Sequence, residues 1–139
     1  MVCCESDHWI AFINGHGEDG HIQYSANQKM KIWYDYDCIY WTETSHDWLV
    51  WAQPWWWSYQ QNGEWYSHPE YPCWEYYAYN YVHFHYYGLP ETPDGDVWVQ
   101  PALRAVGNGW IGSEFWWAFD GYHNTAYLAW NSGPECCWQ

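Results

Sequence analysis

The run EYYAYNYVHFHYY, residues 75–87, constrains the fold more than any other stretch. Successive side chains of a strand point to opposite faces. At that period Tyr77, Tyr79, Tyr81, His83, His85 and Tyr87 share one face. Tyr76, Ala78, Asn80, Val82, Phe84 and Tyr86 share the other. Such a ribbon needs further strands beside it. DVWVQ (96–100), after an Asp-Gly turn, and KIWYDYDCIYW (31–41) have the same character.

Helix formers are scarce: the chain has 4 Leu and 3 Lys plus Arg, against 16 Trp and 15 Tyr. Turn residues are frequent. NGHGEDG (14–20), QNGE (61–64), LPETPDGD (89–96) and GNG (107–109) all read as turns or loops. The expected fold is a mostly β single domain over residues 1–139, with room for one or two short helices. The best helix candidate is SHDWLVWAQ (45–53). Ser45 or Asp47 would cap it and Pro54 would stop it.

Charge narrows the partners. Lys29, Lys31 and Arg104 are the only permanent cations against 17 carboxylates, for a formal net charge of −14. Nucleic acid is held by Lys and Arg, so it is excluded as an expected partner. An anionic membrane surface would repel the chain. No apolar run approaches the ~18–20 residues of a membrane span, so no membrane insertion is expected. Metal ions, cationic partners, and neutral carbohydrate or protein ligands remain. MVCCESDHW at the start has no basic region and no apolar stretch, unlike a signal peptide.

Six cysteines stand at Cys3, Cys4, Cys38, Cys73, Cys136 and Cys137. An even count in a small acidic chain suggests disulfides and an extracellular or secreted setting. The simplest pairing staples the termini, Cys3 and Cys4 against Cys136 and Cys137. Adjacent cysteines fit a zinc ribbon poorly.

Two features point to binding chemistry. His83 and His85 lie in His-x-His spacing, which turns both rings to one side of a strand, as a metal chelate requires. Glu91, His68 or His123 would complete the ligand set. HFH, Glu91 and GDVWVQPA (95–102) resemble pieces of the two cupin motifs, which implies a metal-dependent enzyme in a small β-barrel. The carboxylate pairs Asp94 with Asp96 and Asp35 with Asp37 read as solvated surface groups. The second feature is the aromatic excess. Flat rings stack on the apolar faces of sugars, and the Trp55–Trp56–Trp57 run reads as such a platform or as a protein-binding patch.

Residues 107–138 carry a wider resemblance. Trp110-Ile111-Gly112, Trp116, Asp120-Gly121, then Tyr127, Trp130, Gly133-Pro134-Glu135 and Cys136 follow in order. This segment resembles the C-terminal half of a C-type lectin-like domain. Cys38 to Ala52, CIYWTETSHDW and beyond, resembles the same family's helix region. The resemblance implies a non-catalytic domain that recognises carbohydrate or a protein surface through aromatic-rich loops. It puts binding on Trp116 and Trp130 and makes Asn131 and Glu135 the nearest counterparts of calcium ligands. The rival expectations are a self-associating structural subunit of an extracellular filament or particle, and the cupin-like enzyme.

Overall fold

The computed structural model describes residues 3–17, 20–50, 56–66, 74–86, 95–121 and 127–135. Nine strands run in chain order: β1 (Cys4–Glu5), β2 (Trp9–His16), β3 (Ile22–Tyr34), β4 (Ile39–Val50), β5 (Trp56–Tyr66), β6 (Glu75–Tyr86), β7 (Gly95–Val106), β8 (Ile111–Gly121) and β9 (Tyr127–Pro134). They form two antiparallel sheets. Sheet A has β3 between β2 and β4, with β9 beyond β2 and the short β1 on the far end of β3. Sheet B is the sequential ribbon β5-β6-β7-β8. The mostly β expectation holds.

The alternation read from the sequence is the alternation of burial. Along β3, Tyr24, Ala26, Gln28, Met30 and Ile32 are buried and their neighbours are not. Along β6, Tyr76, Ala78, Asn80, Val82 and Phe84 are buried. These inward sets pack sheet against sheet, as in any two-layer β domain. The core falls into two clusters. One gathers Ala11, Met30, Ile32, Ile39, Tyr76, Ala78, Leu103, Ala105 and Ile111. The other gathers Ile13, Tyr24, Ala26, Val82, Phe84, Val97 and Val99. Gln28 and Asn80 stand at the boundary, each between a residue of one cluster and a residue of the other. Burial on this scale contributes ~1.5–3 kcal/mol for each large side chain.

Several expectations need correction. Residues 45–50 belong to strand β4, not to a helix. Ser45 pairs with Lys29 and Val50 with Tyr24 in a continuous ladder. That ladder satisfies the backbone better than an isolated turn of helix would. The run 31–41 is not one strand but a hairpin. Asp35 Oδ1 accepts the backbone N–H of Asp37 and of Cys38, at 3.0 and 2.8 Å, and reverses the chain. Residues 61–64 lie within β5, where Asn62 pairs with Asn80. Residues 14–16 lie within β2, while the GNG turn at 107–109 is a turn. Cys3 is bonded to Cys4, not to the C-terminal pair. Cys38 is also disulfide-bonded. The segment before β2 and the residue after β9 do meet: the Glu135 N–H donates to the His8 carbonyl at 2.6 Å.

Candidate functional site on the outer face of sheet B

With the inward residues of β6 buried, the opposite set forms the outer face of sheet B. Pairing across β6 and β7 sets Tyr77 opposite Arg104, Tyr79 opposite Ala102, His83 opposite Trp98 and His85 opposite Asp96. Pairing onto β8 sets Trp116 opposite Gln100 and Glu114 opposite Ala102. The face is therefore aromatic in its middle and charged at both ends.

The middle is an open depression of about 400 Å³ lined by Tyr77, Tyr79, Tyr81 and Gln100. A smaller hollow of about 100 Å³ shares Tyr77 and Gln100 with it and reaches Glu114 and Trp116. The Tyr77 and Tyr79 rings lie 6.0 Å apart. Trp116 stacks near Tyr81 at 6.1 Å. Burial raises the Tyr77 phenol above its ordinary value, and the Glu114 charge adds to it. Burial raises Tyr81 likewise. Both phenols therefore stay protonated at neutral pH, and the Tyr77 hydroxyl is hydrogen-bonded to Gln100.

Arg104 closes one end. Its Nε donates to Glu114 at 2.7 Å, and its Nη1 bonds Glu75. Its guanidinium lies 4.7 Å over the Tyr77 ring. The hydrogen bond to Glu114 leads the effects that hold its charge more firmly. Lys29 pairs with Glu135 at 2.7 Å and Lys31 with Glu5 at 3.5 Å. All three permanent cations are thus engaged by carboxylates.

The other end is the histidine pair. His83 Nε2 and His85 Nδ1 both lie 2.7 Å from Asp96 Oδ1. His83 stacks on Trp98 at 4.7 Å with the planes 13° apart. Burial alone would raise the Asp96 carboxyl. Hydrogen bonds from His85 and His83, with their charge, outweigh it, and the carboxyl titrates below its ordinary range. The third group beside the histidines is Asp96, one of the carboxylates expected to be merely solvated. Glu91, His68 and His123 lie outside the described residues. The pair stands on the outer face, while Phe84 between them fills the core. It does not open into a barrel interior.

The remaining expected residues scatter. Trp55 lies outside the described residues. Trp56 and Trp57 begin β5, paired with Tyr86 and His85. Trp116 joins the Tyr81 face, but Trp130 does not. Trp130 occupies a position opposite Ile13 on β9, with its ring 4.5 Å from that of Trp117. It bridges the margins of the two sheets, where the Ser113 and Ser132 hydroxyls also meet at 2.7 Å. Asn131 is exposed on β9, and its Oδ1 accepts the Ser132 N–H at 2.8 Å. Asn131 lies within β9, and Glu135 stands just past its end, paired with Lys29. Cys73, Cys136 and Cys137 lie outside the described residues.

A cleft of about 450 Å³ beside the start of β2 is lined by Glu5, Ser6, Asp7, His8, Lys31 and Glu135. Within it Lys31 pairs with Glu5, while Glu135 pairs with Lys29 outside the lining, and no Trp, Tyr or Phe lines it.

No protein-family model matches the chain, and neither a curated protein nor a solved structure is similar to it. The functional reading rests on the geometry of this face.

Proposed function

We propose that the protein is a non-catalytic carbohydrate-binding domain, and that neutral sugar chains lie along the outer face of sheet B. The observation that carries this reading is the tyrosine row: Tyr77, Tyr79 and Tyr81 beside Gln100 in one open depression. Aromatic rings cover the apolar faces of sugar rings, and polar groups at their edges bond the hydroxyls. A few placed polar groups in an aromatic wall fix orientation. Gln100, Glu114 and the phenol hydroxyls supply them here. An anionic sugar is disfavoured because the net charge is −14 and the three cations are already engaged. The Cys3–Cys4 disulfide and the bonded Cys38 favour an extracellular or secreted setting.

The test is affinity electrophoresis and calorimetry with neutral polysaccharides, such as β-glucans and xylans, on the full chain. Tyr79→Ala and Trp116→Ala each weaken binding by about tenfold or more, equivalent to about 1.4 kcal/mol. Both sit on the surface, so the fold survives. Silence across neutral glycans, or affinity that ignores both substitutions, sinks the reading.

One observation favours self-association as a second reading. β4 pairs only with β3 among the described residues, and it exposes Tyr40, Trp41, Trp48 and Leu49. Open apolar edges of this kind recruit further chains. A strict monomer in sedimentation at high concentration removes this reading and leaves the first untouched.

A further inference from the structure

We infer that His83, His85 and Asp96 hold a divalent transition-metal ion of the zinc class at one end of the outer face of sheet B. The inference does not rest on sugar binding. The three side chains come from the neighbouring strands β6 and β7, and their donor atoms all lie within 4.8 Å of one another. Both imidazole nitrogens already converge on one oxygen, at 2.7 Å each. Two ligands of a tetrahedral zinc, each about 2.0–2.1 Å from it, stand roughly 3.3 Å apart. An opening of roughly 0.6 Å per contact turns shared protons into shared coordination.

The surroundings suit an ion. The histidine and aspartate side chains are 22% and 26% exposed, sheltered but reachable. Trp98 stacks flat on the His83 ring and limits its rotation. Asp120 lies directly opposite Asp96 on β8. Like charges in that position repel across a strand pair, and a cation between them removes the conflict. The donor set chooses the class. Calcium wants six to eight oxygens, whereas two imidazoles and one carboxylate suit zinc, copper or nickel. A coordination position stays open for water or a ligand.

The experiment is calorimetric titration of the metal-stripped full chain with zinc alone, then with calcium alone. One zinc ion binds per chain and calcium does not. His83→Ala and His85→Ala each weaken zinc by about tenfold or more, since even outer-shell changes cost 10–100-fold. Asp96→Asn keeps the side-chain shape and does the same. His46→Ala, on β4 and outside the cluster, changes nothing. Circular dichroism confirms that each variant is folded. Zinc-edge X-ray absorption on the unmodified chain gives an independent readout: two imidazole nitrogens at about 2.0–2.1 Å. Absence of saturable zinc binding, or zinc that ignores all three substitutions, overturns the site. A bound zinc without two imidazole nitrogens overturns it equally.

Discussion

The Asn80 side chain crosses the core to Asn27: its Nδ2 donates to the Asn27 carbonyl at 2.9 Å. The same nitrogen donates to the Asp47 carbonyl at 3.1 Å. One amide of sheet B thereby ties two strands of sheet A, at the level where the apolar core divides. A buried amide with partners specifies how the two layers register.

Removing that amide exposes its contribution. Asn80→Ala destabilises the domain by about 1–3 kcal/mol, the range for a lost buried hydrogen-bonding group. Urea unfolding followed by tryptophan fluorescence measures it. A loss below about 0.5 kcal/mol would mean that the two clusters need no polar tie.

Gly15 sits beneath the Tyr24 ring on the inner face of sheet A. A Cβ at Gly15 would clash with the phenol end of that ring, at Cζ. Tyr24 is fully buried and packs against Phe84 at 4.6 Å, so it has nowhere to go. Gly15→Ala therefore costs about 1–3 kcal/mol, as overpacking does. Thermal melting shows it as a drop of several degrees. An unchanged melting temperature would mean that the ring swings aside freely.

These two sites also show what the sequence hid. Glycine at 15 looks like turn punctuation, yet it makes room for the Tyr24 ring on the next strand. Asn62 and Gly63 look like a hairpin tip, yet they pair with Asn80 and Tyr79 inside β5. Each choice is made by a neighbouring strand, which local composition does not reveal. The ribbon from 75 to 86 was legible because its period alone decides its two faces. The histidine pair was legible for the same reason. Its aspartate was not, because the partnership of His85 with Asp96 depends on the register of β6 on β7. Trp116 and Trp130 lie close in sequence and were expected to act together. Pairing to β7 and to β2 sends them to different surfaces.

The Cys3–Cys4 bond joins adjacent residues, so it encloses no loop. A disulfide stabilises chiefly by restricting the unfolded chain, and more so for longer loops. Replacing both cysteines by serine therefore leaves the melting temperature nearly unchanged, within about 2 °C. β1 is only two residues long, which limits what its loss could do. A large drop in differential scanning calorimetry would show that the bonded pair organises β1 against Trp33 and Tyr34.

Asp35 gives the acid limb of the stability profile a definite sign. The backbone N–H of Cys38 is the main cause that lowers its carboxyl below the ordinary 3.8, and the Tyr40 hydroxyl and the Asp37 N–H assist. Tyr40 donates to Asp35 Oδ2 at 2.9 Å. The folded state thus binds the Asp35 proton less readily than the unfolded state does. Stability from this group is fully present above the ordinary value and fades as pH falls through the lowered one. Asp35→Asn keeps an oxygen that can accept the turn's N–H groups but cannot titrate. Melting temperatures from pH 7 down to about pH 2 compare the two chains. The Asp35→Asn variant declines less steeply in the acid range. Parallel curves throughout would show that the Asp35 carboxylate adds nothing beyond the shape of its turn.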